Sequence, residues 1–140
     1  MKKIRIFIIL FLVLIMSGCA TTTQQVMTTQ ESQVMLRSMQ TRVFDTTDRN
    51  MMLRTIIGTL QDLNFVIDSA DEMLGTITAT KYVYNSVLKS TVTVRPRGET
   101  QLLVRLNAQY GLKTVEDPET YQDFFTALEK AIFLTAHQVD

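Results

Sequence analysis

The 140-residue sequence sets fourteen Lys plus Arg against fourteen Asp plus Glu, with one cysteine and one histidine. That balance, without a clustered positive surface, argues against nucleic acid as a partner. A single cysteine excludes an internal disulfide, and one His with one Cys leaves no ordinary zinc ligand set.

The chain opens on Lys2, Lys3 and Arg5, followed by an unbroken apolar run of eleven residues from Ile6 to Met16. Eleven residues make about 16 Å of helix. A bilayer core of about 30 Å needs roughly 20 apolar residues, so this run is a poor transmembrane anchor. A charged start, a short apolar centre and a small-residue exit at Ser17-Gly18 are the parts of a cleavable signal. Ile15-Met16-Ser17-Gly18-Cys19 resembles the lipobox of bacterial lipoproteins, with Met16 where leucine is usual. The resemblance implies cleavage after residue 18, a diacylglycerol thioether on Cys19 and acylation of its new amino group. Ala20 stands where an aspartate would signal inner-membrane retention, so by the same analogy the destination is the outer membrane, facing the periplasm. No cofactor is expected beyond this covalent lipid. Two or more acyl chains hold a protein stably at a bilayer where one does not.

Cleavage leaves 122 residues with eleven Lys plus Arg against fourteen Asp plus Glu, one mildly acidic domain and its leader. Residues 19–38 are the expected tether. Thr21-Thr22-Thr23-Gln24-Gln25 and Thr28-Thr29-Gln30-Glu31-Ser32-Gln33 bury too little apolar surface to offset ordering. Val34, Met35 and Leu36 mark where the tether joins the fold, by packing or as a short helical turn.

The periplasmic domain is expected over 39–140. Residues 39–44 alternate as a first strand, and Thr47 is the expected N-cap of a helix whose stripe runs through Met52, Leu53, Ile56, Ile57, Leu60 and Leu63. Asn64 suits a left-handed cap at its end. A short strand follows at 65–70, then a turn at 71–75. Thr76 to Val83 alternates Thr76, Thr78, Thr80 and Tyr82 against Ile77, Ala79, Lys81 and Val83, a strand half-buried on one face. Residues 87–95 repeat the pattern with Val92 and Val94 inward, and a hairpin over 95–99 is expected to end the ladder at Pro96. Leu102, Val104, Leu106 and Ala108 make the inward face of a last long strand. Asp117-Pro118-Glu119 opens a second helix, with Tyr121, Phe124, Phe125, Leu128, Ala131 and Ile132 on its apolar stripe and Phe133 off it. The order β-α-β-β-β-β-α predicts an α+β layer: an antiparallel sheet of about five strands, two helices on one face, the other face open.

Two resemblances attach to these segments. Arg42-Val43-Phe44-Asp45, residues 60–65, residues 74–81 and Tyr121-Gln122-Asp123-Phe124-Phe125 are similar to an uncharacterised family of small proteobacterial lipoproteins, which brings no activity with it. The element order and Gly75-Thr76-Ile77-Thr78 resemble, at fold level, the helix-grip domains of the C lipoprotein of the outer-membrane barrel-assembly machinery. A fold does not license a function.

Catalytic signals are weak. His137 lies three residues from the last one, where helices fray, and the paired carboxylates Asp71-Glu72 and Glu116-Asp117 sit in turns or at a helix start. No enzyme activity is expected. The candidate surface is the open sheet face, where Tyr82, Thr93, Arg95, Leu103, Arg105 and Asn107 would offer two arginines and an aromatic to a protein partner. The plain alternative is a solvated face with threonine present for strand propensity. The leading expectation is a lipid-anchored interaction module of the cell envelope with a periplasmic or outer-membrane protein partner. A carrier of a lipid or small apolar ligand and a carboxylate-dependent hydrolase stand behind it. A dry cavity of several hundred cubic ångströms would favour the carrier.

Overall fold

The computed structural model describes residues 32–137. The expected signal segment, Cys19 and the expected tether as far as residue 31 lie outside the described residues. The chain divides into two units, Met1–Met35 and Leu36–Asp140, and the second holds every strand described.

Its elements are β1 (Thr41–Phe44), α1 (Arg49–Asp62), β2 (Val66–Asp71), β3 (Thr76–Val83), β4 (Ser86–Arg97), β5 (Gln101–Tyr110), β6 (Lys113–Thr114) and α2 (Pro118–His137). The strands form one antiparallel sheet in the order β1-β5-β4-β3-β2, with β6 pairing β5. This is the expected α+β layer with one short strand added. No helix among the described residues is long and apolar enough to cross a membrane.

Period-2 alternation sends Ile77 and Ala79 of β3, Val92 and Val94 of β4, and Leu102, Val104, Leu106 and Ala108 of β5 to one buried face. Met52, Ile56 and Leu60 of α1 and Tyr121, Phe124, Phe125 and Leu128 of α2 cover it. Phe124 and Phe125 meet edge to face with ring centroids 5.1 Å apart. Arg42, on the same face of β1, reaches Glu129 of α2 at 3.0 Å and lies over the Phe125 ring at 5.4 Å. The ion pair is half-exposed and adds little beyond fixing where α2 sits.

Caps and turns follow local chemistry. Asp48 rather than Thr47 is the N-cap of α1, its Oδ1 accepting from the Met51 backbone N–H at 2.8 Å. Thr46 takes a supporting role, its hydroxyl accepting from the Asp48 N–H. At the other end Asn64 has φ 64°, the Asn64 N–H bonds Gln61 and the Phe65 N–H bonds Leu60, a Schellman closure.

Four further differences from the sequence expectation have physical reasons. Residues 32–39 are helical, so the tether does not extend to residue 38: Leu36 and Met39, three apart, pack against the core, and the Gln40 N–H bonds the Leu36 carbonyl. Pro96 does not end the ladder but pairs with Leu102 inside β4. The Val94 N–H points to the Gly75 carbonyl, and two residues on the same direction passes beyond the start of β3, so a missing donor at 96 costs nothing. β6 covers the outer edge of β5 where β1 has ended, and Val115 N–H to Ala108 carbonyl extends it. β2 carries a bulge between Ile67 and Ser69, which lets Asp68 accept from the Thr80 hydroxyl at 2.6 Å and buries Thr80 on the otherwise open face.

One glycine is held by its surroundings. Gly75 has φ +67°, and a Cβ there would stand 2.5 Å from the Arg49 guanidinium and 2.6 Å from the Val94 carbonyl. The guanidinium is itself fixed, donating to the Met73 carbonyl at 2.9 Å. Gly75→Ala should therefore cost about 2 kcal/mol or more, roughly 10 °C in Tm. Gly98→Ala, at φ +63° but in open space, should cost only about 1 kcal/mol. Thermal unfolding of the two variants checks the order.

Candidate functional site

The open face is built by the residues that alternate with the core. Register places Thr93 opposite Arg105, Arg95 opposite Leu103, and Thr91 opposite Asn107 across β4 and β5. β1 adds Thr41 opposite Arg105 and Val43 opposite Leu103. Five of the six expected residues thus form one patch of three successive rows. Tyr82 shares the face but not the patch. It pairs with Val87, six residues along β4 from Thr93, about 20 Å away at the usual strand rise.

The patch carries two arginines, one exposed and one half-buried. Arg105, half-buried, donates from Nε to the Thr41 hydroxyl at 3.2 Å. Arg95 is exposed, and among the described residues neither arginine forms an ion pair. Arg97 continues the row beyond Arg95, opposite Gln101, and Gln101 in turn donates to Asp45 at 2.6 Å. Asp45 borders this half of the sheet, and Glu99 stands in the β4–β5 turn beyond Arg97; Asp68 and Asp71 lie at the β2 edge. Thr41, Thr76, Thr78, Thr91 and Thr93 supply hydroxyls and methyls between the charges. Sequence reasoning missed Thr41 and Val43, because only the β1–β5 register shows which β1 residues join the face.

Tyr82 belongs instead to an end cluster. The β3–β4 and β5–β6 turns lie side by side through the Leu88–Tyr110 pair, and they expose Tyr82, Tyr84, Val87, Tyr110 and Leu112. Phe133, off the α2 stripe as expected, is exposed and stacks on His137 at 4.1 Å. His137 Nδ1 lies 2.8 Å from the Phe133 carbonyl.

One acid of each pair serves the backbone, Asp71 in a turn and Asp117 at the start of α2. Asp71 accepts from the Leu74 N–H at 2.8 Å, and Asp117 accepts from the Glu119 N–H at 3.3 Å. Among the described residues no three His, Cys, Asp or Glu side chains are grouped to hold a metal ion. On the helix-covered side two grooves stand out. One, of about 260 Å³, lies between α1 and the β2–β3 turn and is ringed by Asn50, Arg54, Asp71 and Glu72. The other, of about 220 Å³, lies between the end of α1, the start of α2 and the sheet, with a mostly apolar lining. Both are open grooves rather than the dry cavity of several hundred cubic ångströms that would favour the carrier.

No protein-family model matches this chain, and no curated protein matches it.

Because Arg95 and Arg105 hold no ion pair among the described residues, they should be dispensable for stability. The double variant Arg95→Ala/Arg105→Ala is expected to stay within about 0.5–1 kcal/mol of the parent in urea unfolding.

Proposed function

We propose that this chain is a lipid-anchored interaction module of the bacterial cell envelope, facing the periplasm from the outer membrane and catalysing no reaction. The Cys19 segment supplies the address, and the open sheet face supplies the contact. The observation that carries the contact is the pair of guanidiniums, Arg95 and Arg105, on adjacent rows of the open face, with no carboxylate among the described residues committed to either. Arg forks bind carboxylates in two-point geometry, and an arginine left unpaired in its own fold is free to take one from outside. Leu103 and Val43 lie in the same row as Arg95, giving the apolar centre that a protein contact needs beside its charged groups. The partner is therefore a protein with an acidic patch held at the same membrane. Anchoring raises the effective concentration of a weak contact without any added interaction energy at the face.

Two outcomes follow. Cys19→Ser should move the protein from the membrane to the soluble periplasmic fraction on cell fractionation; retention in the membrane would remove the anchor from the account. Arg95→Glu/Arg105→Glu, folded by circular dichroism, should lose its partner in a pull-down after in-cell crosslinking, by tenfold or more. Recovery of the same partner at parental yield would show that the contact lies elsewhere.

A further inference from the structure

The apolar groove between the helix ends and the sheet has a polar feature that packing does not explain. Ser90 of β4 points to the helix side, is 3% exposed, and its Oγ has no hydrogen-bond partner among the described residues. A buried hydroxyl without a partner is costly, and native structures rarely keep one without a use for it. Ser90 lines this groove together with Lys81 of β3. Register puts Ser90 opposite Ala79 and Lys81 opposite Leu88, so the two are diagonal neighbours on the inward face, a separation of about 7–8 Å that long side chains span. Lys81 makes no ion pair among the described residues, and its Nζ lies 5.6 Å from the centre of the Phe65 ring. An inward lysine beside an unpartnered buried hydroxyl, at the head of an apolar groove, is a receptor for an anion with a greasy tail.

We propose that this groove binds a small carboxylate amphiphile. Lys81 and Ser90 receive the carboxylate, and Leu63, Phe65, Tyr110 and Phe124 hold the apolar part. Asp123 and Thr120 line the α2 rim, and the Asp123 charge repels a carboxylate from that side, which fixes the head toward the sheet. Size limits the tail. A cavity of about 150 Å³ accepts benzene, so a groove of about 220 Å³ takes a single ring or a short acyl chain and not a diacyl lipid. The site is on the opposite side of the sheet from Arg95 and Arg105, and it does not depend on the anchor.

The test uses the full lipidated protein in phosphatidylcholine nanodiscs, with octanoate and 1-octanol as probes and saturation-transfer NMR against empty nanodiscs. Octanoate should bind the protein more tightly than octanol. Lys81→Ala should weaken octanoate by about tenfold and leave octanol nearly unchanged. Leu63→Trp, which fills the groove, should remove both. Ser90→Ala should weaken octanoate severalfold while raising the unfolding midpoint of the ligand-free protein, because it removes an unsatisfied group. No signal beyond that of empty nanodiscs overturns the proposal. So does octanoate binding that is indifferent to all three substitutions, or a Ser90→Ala variant that is less stable than its parent.

Discussion

Everything in this domain depends on a sheet that is buried on one side only. Nine inward positions on β3, β4 and β5 are apolar, buried and covered by the stripes of α1 and α2, while the alternating positions carry Thr, Arg, Asn and Lys into water. Slipping any strand by one residue would exchange the two sets, exposing Val92 and Val104 and burying Thr93 and Arg105. Register is thus fixed by the cost of that exchange. Tyr121 shows how closely the cover is tied to the edge. Its hydroxyl donates to the Val115 carbonyl at 2.6 Å and receives Gln40 Nε2 at 3.4 Å, while the Gln40 carbonyl accepts from Leu106. One buried phenol therefore joins α2 to the segments that flank β5 where β1 ends and before β6 completes the edge.

This one-sidedness also explains what the sequence revealed. β3 was legible over its full length because Thr76 to Val83 alternates without interruption, and alternation is what half-burial requires. The start of α2 was legible from Asp117-Pro118-Glu119, where three local preferences agree. Features that depend on a neighbouring strand were not. Whether Pro96 can stay in a ladder depends on where β3 begins, and β6 is two residues that pair only because β5 outruns β1. The Asp68 bulge, which turns Thr80 from a solvated threonine into a buried one, has no local signature either. Thr47 and Asp48 are both good caps, and only the position of the first helical residue decides between them.

The candidate surface divides along the same line. Alternation alone assigned Thr93, Arg95, Leu103, Arg105 and Asn107 to one face, and register then brought them into adjacent rows. Tyr82 obeyed the alternation but landed at the far end, because the β3–β4 turn at residues 84–85 sets its row opposite Val87. The groove was further from reach. Ser90 and Lys81 are visible in the sequence as polar residues at inward positions, yet whether such a position is roofed by a helix depends on where α1 stops and α2 starts. A fold with a solvated, arginine-bearing face on one side and a small apolar groove at the end of the other keeps two contact chemistries apart without sharing a residue between them.

The central claim is that the open face is covered in the cell and bare in isolation. Hydroxyl-radical footprinting of the full-length protein, once in intact cells and once purified, measures that directly. The account predicts that Leu103 and Val43 are labelled less in cells, while exposed Phe133 and Leu134 on α2 are labelled equally in both. Equal labelling of Leu103 and Val43 in the two states, or protection confined to α2, would contradict it.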